Sequence, residues 1–177
     1  MICPACGGRH FAPVRIEGGL PAERCADCHG AWVELERYRL WRKNMPQLAA
    51  PEYAGEISEV NEPVRVCPST GRLMTRIKVS NGNPLRLDFS AMAQAVWLDK
   101  GEWERLLAMG LHDQLDAIVS ERWQSDLKRA ASRERAEHAM RLRFGDAAYE
   151  QLAQMRAWLA QQPNQTEMMA FLNTKAD

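Results

Sequence analysis

Residues 3–6 read Cys3-Pro4-Ala5-Cys6, and residues 25–32 read Cys25-Ala26-Asp27-Cys28-His29-Gly30-Ala31-Trp32. The two pairs follow the pattern C-x2-C-x18-C-x2-C. A two-residue gap lets both sulfurs of a tight turn point at one ion. Two such turns supply four thiolates at about 2.3 Å, the tetrahedral donor set that zinc prefers. The expected ligands are Cys3, Cys6, Cys25 and Cys28, holding one Zn2+ per chain. Other uses of these thiols fit less well. Cys25-Ala26-Asp27-Cys28-His29 has the C-x-x-C-H form of haem attachment, which leaves Cys3 and Cys6 without a role and calls for export. A thioredoxin-like pair needs a βαβ context that the surrounding pattern does not offer. Structural disulfides belong to oxidising compartments.

The 18 residues between the pairs contain a β-like segment, His10 to Ile16, then Glu17-Gly18-Gly19, then Leu20 to Arg24. A Gly-Gly pair between two such segments is a hairpin signal. Knuckle, hairpin and second knuckle together describe a zinc ribbon over residues 1–43.

The same layout returns further on. Cys67-Pro68 stands 64 residues after Cys3-Pro4, and Trp97 stands 65 after Trp32. Asn81-Gly82, a strong hairpin turn, takes the place of Gly18-Gly19. Alternating apolar residues flank it: Leu73, Thr75, Ile77 and Val79 before, Leu85, Leu87 and Phe89 after. Residues 64–110 therefore repeat residues 1–43. The repeat has lost its ligands, with Thr70 in place of Cys6, and Ser90 and Ala93 in place of Cys25 and Cys28. One thiol cannot cage zinc, so Cys67 is read as a small buried residue. Leu73, Ile77, Leu87, Phe89 and Trp97 are the expected core of this metal-free module. If the two modules fold independently, loss of zinc unfolds residues 1–43 alone.

At these residues the chain resembles the bacterial TFIIB-type zinc-ribbon family. The first copy supplies Cys3, Pro4, Cys6, Cys25, Cys28, Gly30 and Trp32. The second supplies Trp97-Leu98-Asp99-Lys100-Gly101-Glu102, similar to the family's W-L-D-x-G-E closure. The first copy has Val33-Glu34-Leu35-Glu36 there instead, so its closure is altered where its cysteines are kept. The resemblance covers about 110 residues and implies a ribbon fold and zinc. Through the family name it also implies nucleic-acid binding, by analogy only.

Residues 44–63 read as an acidic linker, with Pro46, Pro51 and Pro63 and four glutamates but no Lys or Arg. Residues 111–177 read as a helical C-terminal region. A short helix carrying Trp103, Leu106 and Leu107 should end at Gly110, and a long one should run from about His112 to Phe144. Its apolar stripe is Leu115, Val119, Trp123 and Leu127. Asp146 is the expected cap of a helix stopped by Pro163, and Thr166 that of a final turn. The fold class is thus α+β: two tandem ribbon-like hairpin modules, the first with zinc, followed by helices.

Composition narrows the function. Lys+Arg and Asp+Glu both total 23 over 177 residues, so the net charge is zero. That gives little bulk attraction to a polyanion. No apolar run reaches the ~20 residues of a membrane span, and the N-terminus lacks a secretory pattern; a cytoplasmic protein is expected. No nucleophile turn, phosphate loop or H-E-x-x-H motif occurs, and a four-thiolate zinc has no open position. His10 and His29 lie near the cysteines in sequence and read as surface residues. A non-enzymatic adaptor is therefore expected. Balanced charge favours a protein partner, docking on the stripe of the long helix. The resemblance favours nucleic acid, contacted by Arg65, Arg72, Arg76, Lys78 and Arg86. Arg122, Lys128, Arg129, Arg133, Arg135, Arg141 and Arg143 lie along the long helix and read as a solvated, salt-bridged face. The Met-rich end leaves room for pairing with a second copy.

Overall fold

The computed structural model describes residues 1–44 and 63–174. Apart from its two end residues, the acidic segment 44–63 lies outside the described residues. The chain divides into two compact units, Met1–Lys128 and Arg129–Asp177. Among the described residues, no helix is long and apolar enough to cross a membrane.

The first unit is α+β. Strands β1 (Phe11–Ile16), β2 (Leu20–Cys25) and β3 (Ala31–Glu34) come from the first half of the repeat. Strands β4 (Thr75–Lys78), β5 (Arg86–Ser90) and β6 (Ala95–Leu98) come from the second. They form one antiparallel sheet in the order β1-β2-β3-β6-β5-β4. The repeat is thereby converted into a pseudo-two-fold arrangement, with Trp32 directly opposite Trp97 in the central β3–β6 pair. The joining has a plain cause. Ala31-Trp32-Val33 and Ala95-Val96-Trp97-Leu98 are buried on both faces. Left unpaired, each strand would expose an apolar edge with orphan amides and carbonyls. The two modules expected side by side thus share a sheet.

One face of the sheet packs on helices α1 (Leu35–Lys43), α2 (Glu102–Ala108) and α3 (Leu115–Ile118). Val33, Ile77, Leu87 and Leu98 meet Leu35, Leu106, Leu115 and Ile118 there. Tyr38 ties α1 to α3: its hydroxyl donates to the His112 carbonyl at 2.9 Å and accepts from the Leu115 amide at 3.0 Å. The opposite face holds Trp32, Trp97, Met74, Cys3 and Cys67. Because both faces are covered, burial switches phase along the strand into β4. Leu73 shares parity with Ile77 and Val79 yet is 72% exposed, whereas Met74 is buried on the other face. Leu73 therefore leaves the expected core, and Phe89 is only half-buried.

The helix expected from His112 to Phe144 is broken. After α3, Ser120 accepts the Trp123 amide through its hydroxyl at 3.2 Å and starts α4 (Glu121–Phe144). A serine that caps cannot also continue the preceding helix. The stripe on this segment is consumed by the first unit: Leu115 is buried, and Val119 and Trp123 pack on the same core. Gln124 then closes the β4 edge. Its amide donates to the Lys78 carbonyl at 2.7 Å and accepts the Lys78 N–H at 3.2 Å, the contacts another strand would make.

Gly30 fixes how the halves meet. A Cβ at this position would stand 2.2 Å from Cζ2 of Trp97, and Phe11 meets the same indole edge-on at 6.3 Å. Gly30→Ala should displace Trp97 and lower stability by about 1–3 kcal/mol. A urea midpoint unchanged from wild type would contradict this packing.

The second unit comprises the rest of α4, then α5 (Asp146–Leu159) and α6 (Gln165–Asn173). Gly145, not Asp146, occupies the N-cap of α5, and Asp146 falls in its first turn. There it pairs with Arg141, which also reaches Glu137 at 3.1 Å and Glu150 at 2.7 Å. This cation, expected on a solvated, salt-bridged face, makes those salt bridges across the α4–α5 corner. Between α5 and α6 lies a groove of about 850 Å3 lined by Met155, Trp158, Leu159, Met168, Phe171 and Leu172. Trp158 is 54% and Phe171 77% exposed.

Candidate metal centre

The four expected ligands converge. Cys3 and Cys6 lie on a turn closed by the Gly7 amide donating to the Cys3 carbonyl at 2.9 Å and the Cys3 amide to the Gly8 carbonyl at 2.8 Å. Cys25 ends β2, and Cys28 follows on a second turn in which the His29 amide donates to the Cys25 carbonyl at 3.0 Å. The Ala26 amide donates to the His10 carbonyl at 2.9 Å and holds this second turn against the segment entering β1. His10 and His29 themselves are exposed.

The sulfurs of Cys3 and Cys28 stand 3.5 Å apart and those of Cys6 and Cys25 3.7 Å, with all four within 4.8 Å of one another. Four sulfurs about 2.3 Å from one ion would stand roughly 3.8 Å apart at the corners of a tetrahedron. The donor set therefore fits a metal ion and is compatible with zinc. Electrostatics point the same way. Burial raises the Cys3 thiol, and burial together with the neighbouring thiols pushes Cys28 up to about 12. Cys25 is lowered, because backbone amides of Cys28 and Asp27 and the neighbouring thiols outweigh its burial. Four thiols this close cannot all ionise without a cation among them. Metal analysis of protein purified without added zinc should find about one zinc per chain. Two ions per chain, or none in an intact fold, would refute this assignment.

The second half keeps the backbone of the site without its ligands. The Gly71 amide donates to the Cys67 carbonyl at 3.0 Å and the Cys67 amide to the Arg72 carbonyl at 2.7 Å, repeating the first turn bond for bond. Gly7 and Gly71 both take the left-handed conformation, with φ of 76° and 71°. His29 and Gln94, 65 apart, are the two non-glycine residues with positive φ among the described residues. Cys67 is buried as expected. Burial pushes its thiol up, but the hydroxyls of Ser69, Ser90 and Thr70 outweigh that and bring it down to about 7.

A buried ionic network stands on this half, which the sequence reading assigned to apolar contacts alone. Arg65 grips Asp99 with both terminal nitrogens, at 2.9 and 2.6 Å, and Asp88 with Nε at 3.2 Å. Arg76 pairs with Asp88 at 3.2 Å. Trp97 donates its indole N–H to Asp99 at 2.9 Å, and the Asp99 amide donates to Glu102 at 2.8 Å. Burial pushes Glu102 up to about 8. The signal for part of this network was the Trp97-Leu98-Asp99-Lys100-Gly101-Glu102 closure, whose Trp97, Asp99 and Glu102 prove to be network members. Two of the expected phosphate contacts, Arg65 and Arg76, are thus engaged by carboxylates of the fold. Arg72 and Arg86 are exposed, and Lys78 is half-buried.

No family model, no curated protein and no solved structure matches the chain.

Proposed function

We propose that this protein is a zinc-stabilised, non-enzymatic adaptor of the ribbon type whose ligand is a protein. The observation that carries the reading is the α5–α6 groove. Soluble monomers rarely leave large contiguous apolar patches exposed, and such patches mark interaction surfaces. The expected docking stripe on the long helix is spent on the core of the first unit, and this groove takes its place. Four thiolates around one ion form a closed centre with no position for water or substrate, which supports a structural metal. The repeated knuckle backbone supports the resemblance to TFIIB-type ribbons, with the second copy metal-free.

The nucleic-acid reading is weakened, because Arg65 and Arg76 are held internally and the net charge is zero. The test uses the zinc-loaded full chain as bait in native lysate, with and without nuclease. Capture of a protein that survives nuclease and is lost in Phe171→Glu is the expected result. Capture abolished by nuclease, together with salt-dependent binding of a mixed RNA or DNA pool tighter than ~10⁻⁴ M, would replace this reading with the nucleic-acid one.

A further inference from the structure

We infer that the occupant of the α5–α6 groove is a second copy of this chain, so that two C-terminal units pair face to face. The inference rests on the protein-partner reading and names the partner.

The first argument is area. Trp158, Phe171, Met155 and Leu172 line the groove and are each 48–77% exposed. Taking ~200 Å2 per side chain, within the aromatic range, those exposures leave roughly 450 Å2 bare. This is a little over half of the ≈800 Å2 that each partner contributes to an interface of standard size, the scale of a reversible, concentration-dependent pairing.

The second argument is charge. Between residues 129 and 174 the chain carries six arginines and five carboxylates, interspersed along the helices. Among the described residues, Glu167 is the one charged side chain lining the groove; Gln151, Gln154 and Asn164 supply its polar rim. A strongly charged partner would find nothing complementary here. A like surface, apolar in the middle with neutral amides at the rim, meets its own requirements in a two-fold interface, where the same patch serves both sides.

The third argument is helix length. The α6 helix has nine residues, fewer than the ~12–15 at which isolated helices become even marginal in water. Its exposed residues include Met169, Phe171 and Leu172, so packing on one side leaves much of its apolar surface in solvent. A second copy covers that surface. Unbranched methionines let the two faces adapt to each other.

The experiment is sedimentation of the purified, zinc-loaded full chain over a range of concentrations, run beside the nuclease-treated capture described above. The expected result is a species of twice the 20.1 kDa chain mass. In the Trp158→Glu, Phe171→Glu double variant its dissociation constant should rise by ~100-fold or more, as for two central aromatic contacts, with zinc content unchanged. A wild type that stays monomeric while capture persists and depends on Phe171 overturns the inference and leaves the protein-partner reading standing. A monomer with empty capture overturns both. A dimer indifferent to the double variant also overturns the inference, since the contact then lies elsewhere. Should the variant misfold, hydrogen exchange of the wild type decides. Protection over residues 146–173 that rises with concentration supports the inference, and protection that does not change overturns it.

Discussion

Cys6→Ser is expected to unfold the sheet of both halves of the repeat. Serine has no thiolate, so three sulfurs would be left around the ion. Structural zinc in small ribbons supplies roughly 10–16 kcal/mol of apparent binding energy that is also folding energy. A whole domain is stable by only about 5–15 kcal/mol. On the sequence alone, the damage would stop at residue 43. The shared sheet changes that expectation. Strand β3 is held between β2 and β6, and Trp97 of the second half lies against Gly30, two residues from Cys28. Val33 and Leu35 belong to the same core as Ile77, Leu87 and Leu98. Hydrogen exchange should therefore show protection falling in β4, β5 and β6 as well as in β1, β2 and β3. Zinc content measured on the same sample confirms loss of the ion. Protection retained throughout β4 to β6 would mean that the halves are energetically separable despite their joined strands.

Arg65→Met should carry the second large effect. The Arg65 side chain is 9% exposed and faces two carboxylates, Asp88 and Asp99. Glu102 brings no positive charge to relieve them: one of its oxygens accepts the Asp99 amide, and burial pushes its carboxyl up to about 8. Removing the guanidinium strips the cation from half-buried Asp99 and leaves buried Asp88 with Arg76 alone. Breaking a buried pair from one side typically costs about 3–5 kcal/mol. Urea unfolding of the zinc-loaded chain measures it. Pairing the change with Asp88→Asn should recover part of the loss, because one of the stranded charges is then gone. A loss below about 1 kcal/mol, the scale of an exposed pair, would mean that water reaches this network and that apolar packing alone holds the second half. The network also accounts for how the second half holds together without a four-cysteine site. The first half is stapled by four cysteines, while the second is stapled by Arg65, Asp88, Asp99 and Arg76 around the same kind of turn.

Local chemistry was legible in the amino-acid order. The spacing of Cys3, Cys6, Cys25 and Cys28 depends on turns of two residues, so the sequence by itself determined which four sulfurs meet. The hairpins about Gly18-Gly19 and Asn81-Gly82 were legible for the same reason: each depends on neighbours along the chain. What was not legible depends on contacts across it. Alternation in Leu73, Ile77 and Val79 tells which residues share a face, but how far that face is covered depends on helices contributed by residues 102–118. The stripe of Leu115, Val119 and Trp123 announces an apolar partner without saying that the partner is this chain's own sheet. The same holds for charge. Arg65 and Arg76 look like free cations until Asp88 and Asp99, 12 to 34 residues away, are brought beneath them. Only the tertiary structure decided that Trp32 would face Trp97 and fuse two modules into one sheet. Edge strands apolar on both faces must find a mate, and the sequence does not say which edge is nearest.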